Sequence, residues 1–443
     1  MIKNKIMRNT PINSDVVKNK IIESGLKNMG KATIREIVAL VNKIQAETGD
    51  KYIRMEMGVP GLKPSQIGVE AEIEALRRGV AADYPMLDGV TELKQEASKF
   101  VKNFMDIDIS PEGCVPTVGS MQGGYAVFMV ANKCNKERDT ALFIDPGFPV
   151  QKQQFKVLGQ KYTSFDIYNF RGEKLKDKLE SFLKQGNIHS IIYSNPNNPT
   201  WVCLTEQELK IIGELANKYD VLIVEDLAYF AMDFRTDMSV PGKPPYQPTV
   251  AKYTDNYVLL ISSSKVFSYA GQRMAMLCMS DKIYHRKYPE LQSVYGADEF
   301  GYVIVLRVLY SLTSGASHSA QYALAAMFKA ANEGKFNFIE DVKEYGERAK
   351  IMKKMFLDNG FNIVYDTDID KPVGDGFYFT IEYPGMTSGE LLEELLYYGI
   401  SAITLDNCGS DKQGLRACVS QTQRSQFSDL EYRLKKFHED HKY

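Results

Sequence analysis

Residues 188–230 read IHSIIYSNPNNPTWVCLTEQELKIIGELANKYDVLIVEDLAYF, and this stretch decides the fold class. It contains two apolar runs, IHSIIYS and VLIVED, which are typical of buried β-strands. The segment between them, at 204–219, places its leucines and isoleucines mainly at helical spacing. A strand, a helix and a second strand in this order predict a parallel β-α-β unit.

The same alternation continues on both sides of this stretch. Between residues 114 and 279 the chain has seven short apolar runs: CVPTV, ALFID, KYTSFDI, IHSIIYS, VLIVED, YVLLISS and MAMLCM. Helical patterns separate several of them. We therefore predict an α/β fold whose large domain has a mainly parallel seven-stranded sheet between helices. The later segments FNIVYD, GFYFTIEY, TSGELLEELLYYG, ISAITL and LRACVS predict a smaller α+β domain at the C-terminus.

These patterns divide the chain into three parts. Residues 1–57 are expected to form an N-terminal arm and a helix associated with the small domain, residues 58–325 the large domain, and residues 326–443 the small domain. The first thirty residues are polar without clear periodicity, so an arm or a frayed tail is expected there. Thr33 and Glu36 then form a capping-box pattern, which predicts the start of a helix. The proline-rich segment 242–248 is predicted to be a surface loop.

Composition excludes several classes of protein. Of 443 residues, 44% are apolar and 25% charged, which argues against a disordered or fibrous chain. The net charge of −2 gives no electrostatic case for nucleic-acid binding. The longest apolar run, at 125–131, is too short to span a membrane, and the N-terminus lacks the apolar region of a secretory signal. We expect a cytoplasmic protein with no membrane contact.

The cysteines and histidines give no metal signature. The six cysteines are scattered without a Cys-x-x-Cys pair, and the histidines lack ligand spacing. No metal site is predicted.

Polar groups that follow the apolar runs indicate where a site should lie. In open parallel sheets, ligands bind beyond the carboxyl ends of the strands. SIIYS is followed by NPNNPT, VLIVE by Asp226, and YVLLI by three serines and Lys265, with Arg273 eight residues further on. CVPTV is followed by the glycine-rich turn GSMQGG at 119–124. All four groups are therefore predicted to meet at one edge of the sheet.

Each of these residues has an ordinary structural explanation when it is taken alone. A glycine-rich turn is usually only a turn, and most lysines are surface charges. A partly desolvated Lys265 could nevertheless act as a Schiff-base nucleophile. Asp226 needs a cationic or multi-donor partner, which a protonated pyridine nitrogen would supply. Together with an anion cradle and an arginine, these are the groups that pyridoxal 5'-phosphate requires from a protein.

The chain resembles the class I/II aminotransferases, which have the type I fold of pyridoxal-phosphate-dependent enzymes. SNPNNPT is similar to the family's Asn-Pro-Thr-Gly signature, and EDLAYF to its Asp-x-Ala-Tyr signature. SSSKVFSYAGQR is similar to its Ser-x-x-Lys segment with a downstream arginine. The resemblance runs from about Met57 to Ser420, with the motifs in the family's order.

The resemblance implies a role for each matching residue. Lys265 would bind the cofactor as an aldimine and carry the proton between the substrate and the cofactor. Asp226 would keep the pyridine nitrogen protonated. Further cofactor contacts would come from Asn198 and Tyr229 at the phenolic oxygen, from Ser120, Met121, Ser262 and Arg273 at the phosphate, and from Phe148 beside the ring.

It also implies substrate and subunit contacts. Gly58, Asn198 and Arg416 would bind the substrate, with Arg416 holding its α-carboxylate in a bidentate contact. Tyr84 would reach the phosphate in the neighbouring subunit, so a homodimer with shared sites is expected.

Two segments depart from the family pattern. Trp201 stands where the signature has glycine, so a different turn conformation is expected, and the pocket beside it could differ too. The stretch DNCGSDKQG at 406–414 departs from the usual spacing before Arg416.

The leading hypothesis is transfer of an amino group from an L-amino acid to a 2-oxo acid. Two alternatives stay open: a pyridoxal-phosphate-dependent β-lyase or cyclase on the same fold, and a non-catalytic sensor of amino acids. The sequence does not identify the amino acid or the 2-oxo acid.

Overall fold

The computed structural model describes residues 10–442. Its α-helices are α1 (Ser14–Ser24), α2 (Ile34–Thr48), α3 (Gln66–Arg77), α4 (Thr91–Met105), α5 (Gly119–Ala131), α6 (Pro149–Leu158), α7 (Lys174–Leu183), α8 (Glu206–Tyr219), α9 (Asp281–Tyr284), α10 (Pro289–Tyr295), α11 (Phe300–Val303), α12 (Tyr310–Thr313), α13 (His318–Asn332), α14 (Glu344–Asp358), α15 (Ser388–Tyr397) and α16 (Phe427–His441).

The strands alternate with these helices in the first part of the chain and cluster near its end. They are β1 (Ile53–Arg54), β2 (Cys114–Val118), β3 (Thr140–Asp145), β4 (Lys161–Asp166), β5 (Ile188–Ser194), β6 (Leu222–Leu227), β7 (Tyr257–Ser262), β8 (Met274–Met279), β9 (Asn362–Ile363), β10 (Thr367–Asp368), β11 (Lys371–Pro372), β12 (Tyr378–Glu382), β13 (Ile400–Ser401), β14 (Ile403–Thr404) and β15 (Leu415–Cys418).

The central sheet contains the seven strands that the apolar runs predict. Its order is β2-β8-β7-β6-β5-β3-β4, and β8 runs antiparallel to both of its neighbours while the other pairs are parallel. Strands β3, β5, β6, β7 and β8 are buried along their whole length. Burial on both faces explains why these strands appear in the sequence as continuous apolar runs.

Helix α8 shows how local sequence sets the ends of the elements. Thr205 and Glu208 form a reciprocal capping box at its N-terminus, and Asp220 ends it in a left-handed conformation. The buried carboxylate of Glu208 also accepts two hydrogen bonds from Arg171, at 2.7 and 2.9 Å. The crossover helix between β5 and β6 is therefore fixed at its start by paired charges.

The C-terminal part of the chain forms a second, smaller sheet. Its order is β14-β15-β12-β9, with antiparallel pairs throughout, and α14, α15 and α16 pack beside it. The N-terminal segment joins this part, since β1 pairs with β13 and α1 contacts α15. The three-part division of the chain stays a prediction.

The expected arm over residues 1–30 is wrong in part. Helix α1 begins after Asn13, whose side chain accepts hydrogen bonds from Asp15 and Val16. Ile12 and Val17 are buried, and α1 packs against α2. Few apolar side chains of α1 are buried against α2, so the apolar periodicity of residues 14–24 is too weak to predict a helix. Residues 1–9 lie outside the described part of the chain.

Residues 10–442 contain neither a candidate membrane-spanning helix nor a cluster of metal-ligating side chains. No helix there has both the length and the apolar character that a membrane span needs. Over the same residues, no group of three or more His, Cys, Asp or Glu side chains is placed to hold a metal ion.

Candidate active site

The predicted site residues lie at the carboxyl ends of adjacent central strands. Ser194 at the end of β5 pairs with Asp226 on β6, and the next residue of β6, Leu227, pairs with Ile261 on β7. Lys265 follows the end of β7 by three residues. The sheet register therefore brings the NPNNPT turn, Asp226 and Lys265 to one edge, as the sequence predicts.

Lys265 is a partly buried amine without an ion-pair partner among the described residues. Its Nζ donates a hydrogen bond of 2.6 Å to the carbonyl oxygen of Gly58. Burial lowers the pKa of Lys265 to about 8, and the positive charges of Arg273 and Arg416 act in the same direction. A neutral, nucleophilic amine is therefore accessible near neutral pH.

Asp226 is buried and accepts hydrogen bonds from two donors. The Ala228 backbone N–H donates to Oδ1 at 3.1 Å, and Nε2 of Gln151 donates to Oδ2 at 2.9 Å. Burial raises the pKa of Asp226 to about 6. Sequence reasoning missed Gln151; its position in the first turn of α6, just after β3, was the available signal.

The start of α5 brings the glycine-rich turn beside Arg273. Gly119 has a left-handed φ of 70°, and a Cβ there would overlap the guanidinium of Arg273. Val118 and Met274 are partners across β2 and β8, which places Arg273 beside Gly119, the residue that precedes Ser120 and Met121. The free N–H groups of a helix start and a guanidinium are both donors to an anion.

Ser262, the remaining residue predicted for this cradle, is buried at the end of β7. Its Oγ accepts a hydrogen bond of 3.1 Å from the Ser264 N–H. The hydroxyl proton of Ser262 remains available for a further acceptor.

Arg416 on β15 is a fully buried cation. Its Nη2 donates to the Glu56 carbonyl oxygen at 2.5 Å, and its Nη1 to Oδ1 of Asn198 at 3.4 Å. Its Nε has no hydrogen-bond partner, and no carboxylate of the described residues lies within ion-pair distance. Since an unpaired buried charge is costly, this guanidinium is suited to an anionic ligand.

Tyr229 makes a contact that sequence reasoning did not anticipate. Its hydroxyl oxygen lies 2.7 Å from that of Tyr378 on β12, and both side chains are buried. Tyr378 also supports Arg416, whose Cζ lies 4.6 Å from the ring centroid. Tyr378 belongs to no recognisable sequence motif, because the residues that it contacts come from distant parts of the chain.

Trp201 adopts the left-handed conformation that suits a glycine, with φ of 63°. The indole is fully buried, and its ring centroid lies 5.4 Å from that of Tyr229. A Cβ at Gly376 would overlap this indole. The turn is thus compatible with tryptophan, and the bulky ring fills space beside the site.

The structure also locates the remaining predicted residues. Phe148 is half-buried immediately before α6, the helix that carries Gln151. Gly58 lies between Lys265 and Tyr378, since its carbonyl accepts from Lys265 and a Cβ there would overlap the Tyr378 hydroxyl. Tyr84 differs from the others because its side chain is 88% exposed.

The unusual segment 406–414 packs against the ends of β3 and β4. The Gly147 N–H donates to the Cys408 carbonyl at 2.8 Å, and the Asp411 N–H donates to Oδ2 of Asp166 at 3.1 Å. This loop therefore joins the C-terminal part of the chain to the turn that carries Phe148.

Comparison with known proteins agrees with this geometry. The chain is 24% identical over 394 residues to a probable aspartate aminotransferase of Methanocaldococcus jannaschii, covering 80% of this chain and 98% of that protein. It is 21% identical over 395 residues to an LL-diaminopimelate aminotransferase of Natranaerobius thermophilus, covering 88% and 92%.

A solved alanine aminotransferase from Pyrococcus furiosus has the same fold, with a TM-score of 0.74 and 18% identity, covering 94% of this chain and 99% of that one. Residues 51–429 match the family described as aminotransferase class I and II. The resemblance, the fold class and the transaminase activity predicted from the sequence are confirmed. The chain is a transaminase, and it belongs to the aminotransferase class I and II family.

Proposed function

We propose that this transaminase uses pyridoxal 5'-phosphate to move an amino group from an L-amino acid to a 2-oxo acid. The observation that carries the proposal is a pair of cations, Lys265 and Arg416, that donate to the carbonyls of Gly58 and Glu56 and have no carboxylate partner among the described residues. A phosphate-bearing cofactor and a carboxylate substrate are the anions that a site with these two cations would hold.

The residues present fit this cofactor. The backbone of Ser120 and Met121, with the side chains of Ser262 and Arg273, would hold its phosphate at the start of α5. Asp226 would contact the ring nitrogen of the cofactor. Asn198 and Tyr229 would contact its phenolic oxygen, and Phe148 would lie beside its ring. When bound, the cofactor supplies an aldehyde that condenses with amines and a ring that accepts electrons.

The chain's own groups would then handle protons and orientation. Neutral Nζ of Lys265 would take the proton from the substrate Cα and return it, and the Gly58 carbonyl would orient this amine. Arg416 would hold the α-carboxylate, and Gly58 would lie against the substrate. Gln151 would fix the carboxylate of Asp226 in place.

Spectroscopy of the half-reactions tests the proposal. Adding an amino acid to the cofactor-loaded protein should convert the aldehyde form of the cofactor to its amine form, and a 2-oxo acid should reverse the change. A lyase would instead release ammonia and pyruvate without an acceptor, and a sensor would do neither. Lys265→Ala serves as the control that removes the amine. Absence of the reversible change with all the common amino acids would contradict the proposal.

Cofactor capture by the cofactor-free protein should follow the neutral form of Lys265. Because burial lowers the pKa of this amine to about 8, the capture rate should rise about tenfold per pH unit below that value and level off above it. Stopped-flow absorbance measures the rate. Borohydride reduction and peptide mapping should then locate the pyridoxyl group on residue 265. A label on another lysine, or a rate still rising at the pH of an ordinary lysine, would contradict this assignment.

Replacing Arg416 should weaken every amino-acid substrate. Arg416→Ala removes a buried charge-assisted contact, so kcat/KM should fall by roughly a hundredfold or more. Arg416→Lys should recover only part of this loss, because a point charge cannot form the bidentate contact. Steady-state kinetics measures both variants, and the absorbance of the bound cofactor is the control for an intact site. Unchanged kinetics in Arg416→Ala would show that another residue binds the carboxylate.

We also propose a cytoplasmic homodimer with shared sites. The exposed side chains of Tyr84 and Met86 support the dimer, as does the anchoring of their segment by His318, whose Nδ1 contacts the carbonyls of Val80 and Asp83. All six cysteines are free, which supports a reducing compartment.

Hybrid dimers test whether Tyr84 acts across the interface. Tyr84→Ala and Lys265→Ala should each be impaired alone. In a hybrid dimer, however, one site would contain both intact residues, so mixed subunits should recover up to about a quarter of wild-type activity. Sedimentation at the assay concentration confirms the assembly state. A mixture no more active than the mean of its two components, or an active monomer, would contradict shared sites.

A further inference from the structure

The contact between the hydroxyl groups of Tyr229 and Tyr378 joins the two halves of the candidate active site. Tyr229 follows β6 of the central sheet, whereas Tyr378 begins β12 of the small sheet. The two oxygens are 2.7 Å apart, and the rings meet nearly edge to face, with centroids 5.4 Å apart. A hydrogen bond between two buried phenols fixes the proton of the donor and leaves the proton of the acceptor for a further partner.

The positive charge of Arg416 favours Tyr378 as the donor in this hydrogen bond. Its guanidinium carbon lies 4.6 Å from the ring centroid of Tyr378, and this positive charge makes the Tyr378 hydroxyl the stronger donor. Burial raises the pKa of both tyrosines, so both are neutral and each brings one proton. When Tyr378 donates to Tyr229, the proton of Tyr229 is left for another acceptor.

Gly58 limits where the Tyr378 hydroxyl can lie. A Cβ at residue 58 would overlap this oxygen, and it would lie 3.2 Å from Cζ of the same ring. The backbone of Gly58 is not in the left-handed region, so space rather than conformation requires a glycine there. The hydroxyl is thus confined between the Gly58 backbone and Tyr229.

We propose that Tyr378 is a positioning residue of this transaminase. Its hydroxyl donates to the oxygen of Tyr229 and thereby turns the Tyr229 proton toward the phenolic oxygen of the cofactor. The inference rests on the proposed function, because it needs pyridoxal 5'-phosphate in the cleft. A hydroxyl that accepts one hydrogen bond is a better donor in the next, so Tyr378 strengthens the contact that Tyr229 makes with the cofactor.

Tyr378→Phe tests the proposal because it removes the hydroxyl and keeps the ring beneath Arg416. Weaker donation to the phenolic oxygen should raise the pH midpoint of the absorbance change of the bound cofactor by about half a unit. The kcat should fall about threefold to tenfold, since a net hydrogen bond is lost. The KM for the amino acid should change little, because Arg416 keeps its support.

Tyr398→Phe is the matched control. Tyr398 is also fully buried, and its hydroxyl donates to Oδ2 of Asp440 at 2.8 Å, far along the chain from Tyr229. This variant should leave the absorbance midpoint unchanged. The proposal is overturned if Tyr378→Phe has the midpoint of the wild type, if its midpoint falls, or if the Tyr398→Phe midpoint moves equally. Failure of the proposed function is separate, because the wild type itself would then show no cofactor absorbance and no half-reaction.

Gly58→Ala gives an independent check in two backgrounds. In the wild type the new methyl group must displace the Tyr378 hydroxyl, so the absorbance midpoint should move upward as in Tyr378→Phe. In the Tyr378→Phe background the hydroxyl is absent, so adding Gly58→Ala should change the midpoint by less than it does in the wild type. Additive shifts in the two backgrounds would show that residues 58 and 378 act separately and would overturn the proposed arrangement.

Discussion

An unpaired, fully buried guanidinium is the constraint on which the rest of the site depends. Among residues 10–442, Arg416 has neutral partners only: the Glu56 carbonyl, the Asn198 side chain and the ring of Tyr378. These contacts orient the cation without neutralising it, so its charge is left for a ligand. A carboxylate in the same position would form an ion pair and remove the affinity for an anionic substrate.

A short segment of the chain, residues 56–58, accepts hydrogen bonds from both cations of the candidate active site. The carbonyl of Glu56 accepts from Arg416, and the carbonyl of Gly58 accepts from Lys265. The segment is itself held by backbone hydrogen bonds, because the Met55 N–H donates to Ser401 and the Cys418 N–H donates to Met55. The N-terminal segment therefore links β15 of the small sheet to Lys265, which follows β7 of the central sheet.

The sequence allows the fold and much of the site to be predicted, because both depend on local patterns. Buried parallel strands appear as apolar runs, and the residues that follow them meet at one edge of the sheet. Gln151 follows β3 in the same way, although no motif marks it. Tyr378 could not be found in this way, since it begins a strand of the small sheet and its partner Tyr229 lies far away in the chain. The sequence pattern does not predict helix α1, because few of its apolar side chains are buried against α2 and α15.

The departure from the family pattern at Trp201 is accommodated by a glycine elsewhere in the chain. Trp201 stands where the signature has glycine, and its indole fills the space that a side chain at Gly376 would need. Tyr378 lies two residues after Gly376, and its hydroxyl fills the space that a side chain at Gly58 would need. A large side chain on one segment and a glycine on the other keep the packing dense in each case. Replacing either Trp201 or Tyr378 by a smaller residue would leave a void beside Tyr229. Residues 201, 376, 378 and 58 therefore have sizes that depend on one another, because together they fill the space around the Tyr229 side chain.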